Sequence, residues 1–371
     1  MAEKPLREGF TTGSAASAAA KAGTLFLLSG AETESADIPL PAGGRLHIPI
    51  HGYSREDEGV LVTVIKDAGD DPDVTHLAAI QCRVMLDRNN PGISLQGGTG
   101  VGVVTLPGLP VPVGEPAINP EPRRQILAAV AEALDEQGGE SDTAPGVSVT
   151  VIVPRGEELA KKTLNPRLGI QGGISILGTR GTVKPFSHEA YEATISQGLN
   201  VASAAGLTSI AFATGRRSEK FLMAALPGLD WAAFVQIADF FAFSLQKAVA
   251  ANMQTIYIGC FFGKLVKMAQ GFAYTHANSG PIDFKRLAHW CEDCGLDGAA
   301  VSEIAWANTA RQVLDIVFTA PQRNCIFSML ARNAALAARH WCPKPVRIEF
   351  FLFDFDGGIL FPSQSLESNP S

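Results

Sequence analysis

The sequence predicts two parts: a mixed α+β domain over residues 1–160, then an α/β domain with a parallel sheet over 161–361. Three observations point there. The chain has 371 residues, more than one average domain requires. Apolar residues make up 46%, enough to bury a core in each part. The order of elements also changes near residue 165, from irregularly mixed helices and strands to regular alternation.

In the first part, residues 12–29 are small and apolar with few breakers, which predicts a buried helix capped by Thr11 or Thr12. Residues 45–50, 60–65 and 82–86 read as short strands, and 87–122 as a loop-rich section. A helix is expected over 121–136, with Pro122 tolerated in its first turn. A surface loop (137–146) and a strand of β-branched residues (147–153) follow. In the second part, residues 172–178 read as a strand or a glycine-rich turn beside one. Helices at 187–205, 218–225, 239–251 and 264–272 alternate with strands at 209–213, 232–237 and 255–261. That spacing implies parallel strands with crossover helices, a Rossmann-like α/β domain. Extra helices from 283 to 340, a strand at 346–355 and a flexible tail at 362–371 complete the chain.

Composition narrows the class. Charged residues are 18% and the net charge is -7, so no global basic field exists to hold nucleic acid. The high apolar content excludes a disordered chain, and 37 glycines with 23 prolines exclude a coiled coil. No apolar run reaches the roughly 18 residues of a membrane helix. The best, at 234–243, is broken by Gln236 and Asp239. Lys4, Arg7 and the later Leu25-Phe26-Leu27-Leu28 have the look of a secretory leader, but Glu8 and Lys21 break the pattern. The expected location is the cytoplasm. Six cysteines are then free thiols. Cys291 and Cys294 form C-x-x-C near His289, but no second close pair exists, so no bound metal is expected.

Twelve of the 37 glycines fall in residues 91–114 and 169–181. The second block runs Gly169-Ile170-Gln171-Gly172-Gly173-Ile174-Ser175-Ile176-Leu177-Gly178-Thr179. Bare backbone there suits either a nucleotide cofactor or close packing of strands, and the residues alone leave both open. Lys66-Asp67-Ala68-Gly69-Asp70-Asp71-Pro72-Asp73-Val74-Thr75-His76 reads as a solvated turn or as a polar ligand clamp. Its spacing does not match a calcium loop. Gly259 to Lys264 has three residues between its glycines and Leu265 after the lysine, so it is not a P-loop. A glycine with Lys264 at a helix start still suits an anion.

These stretches together resemble the CbiD family, the cobalt-precorrin-5B (C1)-methyltransferases of anaerobic cobalamin biosynthesis. The similarity is carried by Leu6-Arg7-Glu8-Gly9-Phe10-Thr11-Thr12-Gly13, by Val64 to His76, and by Gly100-Val101-Gly102 through Asn119-Pro120. Asn165 to Gly181, Gly263-Lys264-Leu265 and Thr275-His276 extend it. The chain departs from the family pattern at Ser14, Ala15, Thr99, Cys260, Phe261 and Tyr274.

The resemblance implies methyl transfer from S-adenosylmethionine to carbon 1 of a corrinoid tetrapyrrole whose cobalt belongs to the substrate. It implies a cofactor site at Gly172, Gly173, Ser175, Gly178 and Thr179, continued by Thr214 and Gly215 at the next strand end. Thr11, Thr12, Gly13, Lys66, Asp70, Asp73, Thr75, Lys264 and His276 are then expected to hold substrate, with Arg7, Arg167 and Arg216 as further anion holders. The first-domain groups are expected to face the glycine block across a cleft. Asp67 or His76 is the expected proton acceptor. A homo-oligomer is compatible with the resemblance; nucleic-acid and membrane partners are not implied. The rival classes are a corrinoid-binding protein without catalysis and another nucleotide-dependent enzyme.

Overall fold

The computed structural model describes residues 6–87, 91–137 and 145–361. The expected tail at 362–371 and most of the loop at 137–146 lie outside them. The chain divides into two compact units, Met1–His188 and Glu189–Ser371. The division falls later than residue 160, because the glycine block at 169–181 pairs with strands of the first unit. Among the described residues, no helix is long and apolar enough to cross a membrane.

The first unit is built around α1 (Thr12–Ser29), whose residues 12–24 are all buried. Thr11 caps it, its hydroxyl accepting from Ser14 N at 3.1 Å, and Gly30 closes it in a left-handed conformation. Small side chains let α1 sit close to its neighbours: a Cβ at Gly23 would lie 2.6 Å from Val84, and one at Gly13 would lie 2.9 Å from Pro122. A hairpin of β1 (Ser35–Pro39) and β2 (Arg45–Pro49) follows α1. The main sheet contains β3 (Gly52–Glu56), β4 (Gly59–Ile65), β5 (Ala79–Asp87), β6 (Ile93–Gly97) and β7 (Gly146–Ile152). Its order is β3-β4-β5-β7-β6, antiparallel except for the parallel β7–β6 pair. Strand periodicity puts Val60, Val62, Val64, Ile80, Cys82, Val84, Val147, Val149 and Val151 on the buried face. α2 (Pro120–Gln137) packs along α1. The one charged side chain of α1, Lys21, is buried and donates to Glu132 at 2.9 Å and Glu136 at 2.6 Å. Burial alone lowers its affinity for the proton, but the two carboxylates outweigh that and raise it. A short α3 (Gly156–Ala160) completes the unit.

The second unit opens with α4 (His188–Ala204) and alternates thereafter: β8 (Ser209–Ala213), α5 (Arg216–Ala225), β9 (Phe234–Gln236), α6 (Phe241–Ala250), β10 (Thr255–Phe261) and α7 (Phe262–Ala269). Four further helices follow: α8 (Phe284–Asp293), α9 (Gly298–Ala305), α10 (Ala310–Thr319) and α11 (Arg323–Ala338). β11 (Arg347–Phe353) and β12 (Ile359–Phe361) finish the sheet. Its order is β9-β8-β10-β11-β12. The first four strands are parallel and β12 is antiparallel. Counted from β8 this is 2-1-3-4-5, so the chain passes to one side of β8 and then crosses to the other. The parallel strands are predominantly apolar, as expected where helices cover both faces; in β11 six of seven residues are buried, Glu349 among them.

Candidate functional site

Two groups of chemistry-bearing residues emerge, one in each unit. In the first unit, the N-terminal segment, the 66–76 segment and the glycine block close on one another. Phe10 N donates to Asp67 O at 2.8 Å, Thr11 N to Gly181 O at 3.1 Å and Gly13 N to Leu177 O at 3.2 Å. Thr12 Oγ1 accepts from Leu177 N at 2.9 Å. Gly173-Ile174 runs parallel to Gly100-Val101, and Ile170-Gln171 antiparallel to Val103-Val104. Thr11, Thr12 and Gly13 therefore do not face the glycine block across a cleft. They are bonded to it.

The glycines there serve backbone packing. A Cβ at Gly173 would overlap the Gly100 carbonyl, and one at Gly178 would overlap the Thr11 side chain. Ser175 is buried, its hydroxyl 3.3 Å from Asn165 Oδ1. Of the five expected cofactor residues in this block, only Gly172 and Thr179 are exposed.

The 66–76 segment is a self-satisfied polar knot. Lys66 is 1% exposed and donates to Asp73 Oδ2 at 2.7 Å. Asp73 Oδ1 accepts from Thr75 N and Thr75 Oγ1, each at 2.7 Å. Burial works to raise the Asp73 carboxyl, but Lys66 and Thr75 hold it below its ordinary value. Asp70 Oδ2 accepts from Arg7 N at 2.7 Å. The Arg7 guanidinium grips Asp67 with both nitrogens and holds that carboxyl down at about 2. His76 Nδ1 accepts from Ala68 N at 3.1 Å, so the neutral ring carries its proton on Nε2. Of the two expected proton acceptors, Asp67 is an ion-paired, weakly basic carboxylate, and the Nδ1 of His76 is engaged by Ala68 N.

In the second unit, the groups line the carboxyl edge of the parallel sheet. Thr214 and Gly215 follow β8; an added Cβ at Gly215 would meet nothing within 4 Å. Asp239 follows β9, aimed by Ala238, which is held at φ 44° in the left-handed region. Asp239 Oδ1 accepts from Thr275 Oγ1 at 2.9 Å and from Lys264 Nζ. Lys264, in the first turn of α7, also donates to Thr275 O at 3.2 Å. Burial, then the nearby Lys267 ammonium, push Lys264 down to about 8. His276 is exposed, its Nδ1 accepting from Asn278 N at 3.2 Å. Glu219 is buried in the first turn of α5 and accepts from Gln236 Nε2 at 2.7 Å.

Asp239 was missed by reasoning from sequence. Once β8 is the first strand of this sheet, Asp239 stands just past the second, where an acid commonly meets ribose hydroxyls. Reading the glycine block as a strand instead put Thr214 and Gly215 at the next strand end. Among the described residues, no three His, Cys, Asp or Glu converge to hold a metal ion. Cys291 lies buried in α8, with its thiol pushed up to about 12, and Cys294 ends that helix.

Fold and site thus define a two-unit α/β protein: a small-residue α+β unit closed on itself, then a parallel sheet with an open carboxyl edge. The family model described as CbiD matches residues 1–185, and that described as CbiD, C-terminal domain, matches 274–364. A protein of Nitratidesulfovibrio vulgaris named cobalt-precorrin-5B C(1)-methyltransferase is 47% identical over 359 residues, covering 95% of this chain and 91% of that one. Proteins of the same name from Thermus thermophilus and Paraburkholderia phytofirmans are 44% and 42% identical, covering 96% and 97% of this chain and 93% and 97% of theirs. A crystal structure of cobalamin biosynthesis protein CbiD from Archaeoglobus fulgidus is 29% identical, with a TM-score of 0.39, covering 71% of this chain and 79% of that one. The chain belongs to the CbiD family.

Proposed function

We propose that the chain is a methyltransferase acting on carbon 1 of cobalt-precorrin-5B to give cobalt-precorrin-6A, with S-adenosylmethionine as donor, in the cytoplasm. The observation that carries this reading is the 42–47% identity, over nearly the whole length of both chains, to relatives named for that reaction. The second unit is read as Rossmann-like. Its 2-1-3-4-5 strand order supports a ligand at the point where the chain reverses, between the ends of β8 and β10.

The groups at that edge fit the donor. Gly215 leaves open space, Thr214 adds a hydroxyl, and Asp239 has a carboxylate oxygen beyond the one that Thr275 and Lys264 occupy. When bound, S-adenosylmethionine supplies a methyl group already activated by its sulfonium, so the chain needs little acid–base power. Thr214 and Gly215 line its seat, Asp239 accepts hydroxyl protons, and Lys264 fixes Asp239. Alignment of donor and acceptor carbon is the main catalytic contribution. In the first unit, Gly172, Thr179 and His76 are exposed among the residues expected at a site. Thr11 to Gly13, Lys66, Asp70, Asp73 and Thr75 shape the wall that carries them.

The test is calorimetry with S-adenosylmethionine, then mass spectrometry of the corrinoid after anaerobic incubation. Gain of one methyl mass is expected. Corrinoid binding with no added mass, or ATP binding without S-adenosylmethionine binding, overturns the reading.

A further inference from the structure

The C-x-x-C pair meets a third cysteine inside the second unit. Cys294 ends α8, and the chain just beyond it is pinned. Gly295 takes φ 83° and donates to Glu292 O at 2.8 Å, while Leu296 N donates to Cys291 O at 3.1 Å. Cys325 stands in the first turn of α11. The two helices share one apolar core, to which Leu287, Cys291, Ile326 and Leu330 belong. At this junction the Cys294 and Cys325 thiols meet in a hydrogen bond.

The three thiols differ in access. Cys325 is exposed, Cys294 is half-buried, and Cys291 is buried. A reagent from solvent therefore reaches Cys325 first and Cys291 last. Cys294 holds its proton tightly: burial above all, then the contact with Cys325, push its thiol up to about 12. Since the thiolate is the nucleophile, Cys325 is the group to attack and Cys294 the group to resolve. Once Cys325 is capped, its share of the pressure on Cys294 is gone.

We propose that Cys325 and Cys294 form a reversible thiol–disulfide exchange site for small disulfides such as oxidised glutathione. The Cys325 thiolate attacks one sulfur of the small disulfide. That S–S bond breaks, one small thiolate leaves, and a mixed disulfide stands on Cys325. Cys294 then gives its proton to solvent and attacks Cys325 Sγ, and the second small thiolate leaves. The protein loses two protons and two electrons; the small disulfide takes the electrons and ends as two thiols. The new bond closes residues 294–325 into a loop that contains α9 and α10. This site is independent of the methyl-transfer reading.

The test incubates the full chain, without air, with oxidised glutathione. Alkylation, trypsin digestion without reductant and mass spectrometry follow. The wild-type protein is expected to lose two free thiols. It should give a cross-link between the peptides holding Cys294 and Cys325, two hydrogens lighter than their sum and reversed by dithiothreitol. Cys291→Ala should keep that cross-link, which separates Cys294 from its neighbour in the same peptide. Cys294→Ser should stop at a glutathione adduct on Cys325, and Cys325→Ser should give neither product. Circular dichroism matching wild type shows that the variants fold. A bond between Cys291 and Cys294, a glutathione adduct that persists on Cys325 in wild type, or no reaction at either thiol overturns the site.

Discussion

Glycine serves opposite purposes in the two units. At Gly100, Gly156 and Gly173, the space a side chain would fill holds neighbouring backbone. At Gly215, beyond a parallel strand, that space is empty. Both sets lie in glycine-containing turns beside strands, and in sequence they look alike. The difference teaches that a glycine-rich run signals close approach without saying what approaches. In the first unit the approaching group is the chain itself; at the edge of the second sheet nothing of the unit stands there.

The sharpest test of this contrast is a pair of alanine substitutions. Gly173→Ala drives a methyl group into the Gly100 carbonyl, and should cost about 4 kcal/mol or more in urea unfolding. Gly215→Ala should shift stability by less than about 0.5 kcal/mol yet weaken S-adenosylmethionine binding in calorimetry. Equal stability losses at both sites would break the comparison.

Next in size is the polar knot. Lys66→Met leaves the Asp73 carboxylate without its cation in a buried setting, and should cost about 3 kcal/mol by denaturant titration. At the open edge, Asp239→Asn should lower donor affinity about tenfold, measured by the same calorimetry, because one carboxylate acceptor is lost. A comparable loss of donor affinity in Lys66→Met that still folds would move the donor site toward the first unit.

The smallest effect is in acid. The folded-state value of Asp67, about 2, lies below its ordinary 3.8. Unfolded chains therefore bind more protons in that window, so this contribution is present above pH 3.8 and is lost as pH falls through about 2. Asp67→Asn should flatten that part of the pH–stability curve, followed by circular dichroism.

Much of the fold was legible in the sequence. The bounds of α1, β8 and β10 coincide with the expected ones, since each is a clean apolar segment between breakers. β1, β3 and β6 were missed. β3 reads Gly-Tyr-Ser-Arg-Glu and buries none of its residues, so no period-two signal exists. β6 ends in glycine inside a proline-rich stretch, and its pairing with β7 is set by residues over 50 positions away. The family was legible because long motifs survive in order. The cofactor residues were less so. Gly173 and Gly178 carry the right residue type for a cradle, but only tertiary packing shows the space already filled.

One consequence of α1 concerns how the protein is made. A helix buried on every side has no solvent-facing stripe to rest on. During synthesis it leaves the ribosome long before α2 and β7, which wrap it. Until then its alanine surface and Phe26 lack some of the neighbours that bury them. Native packing of this unit thus waits on segments made late, among them the strand Gly146–Ile152 and the glycine block bonded to Thr11, Thr12 and Gly13, rather than on its first helix.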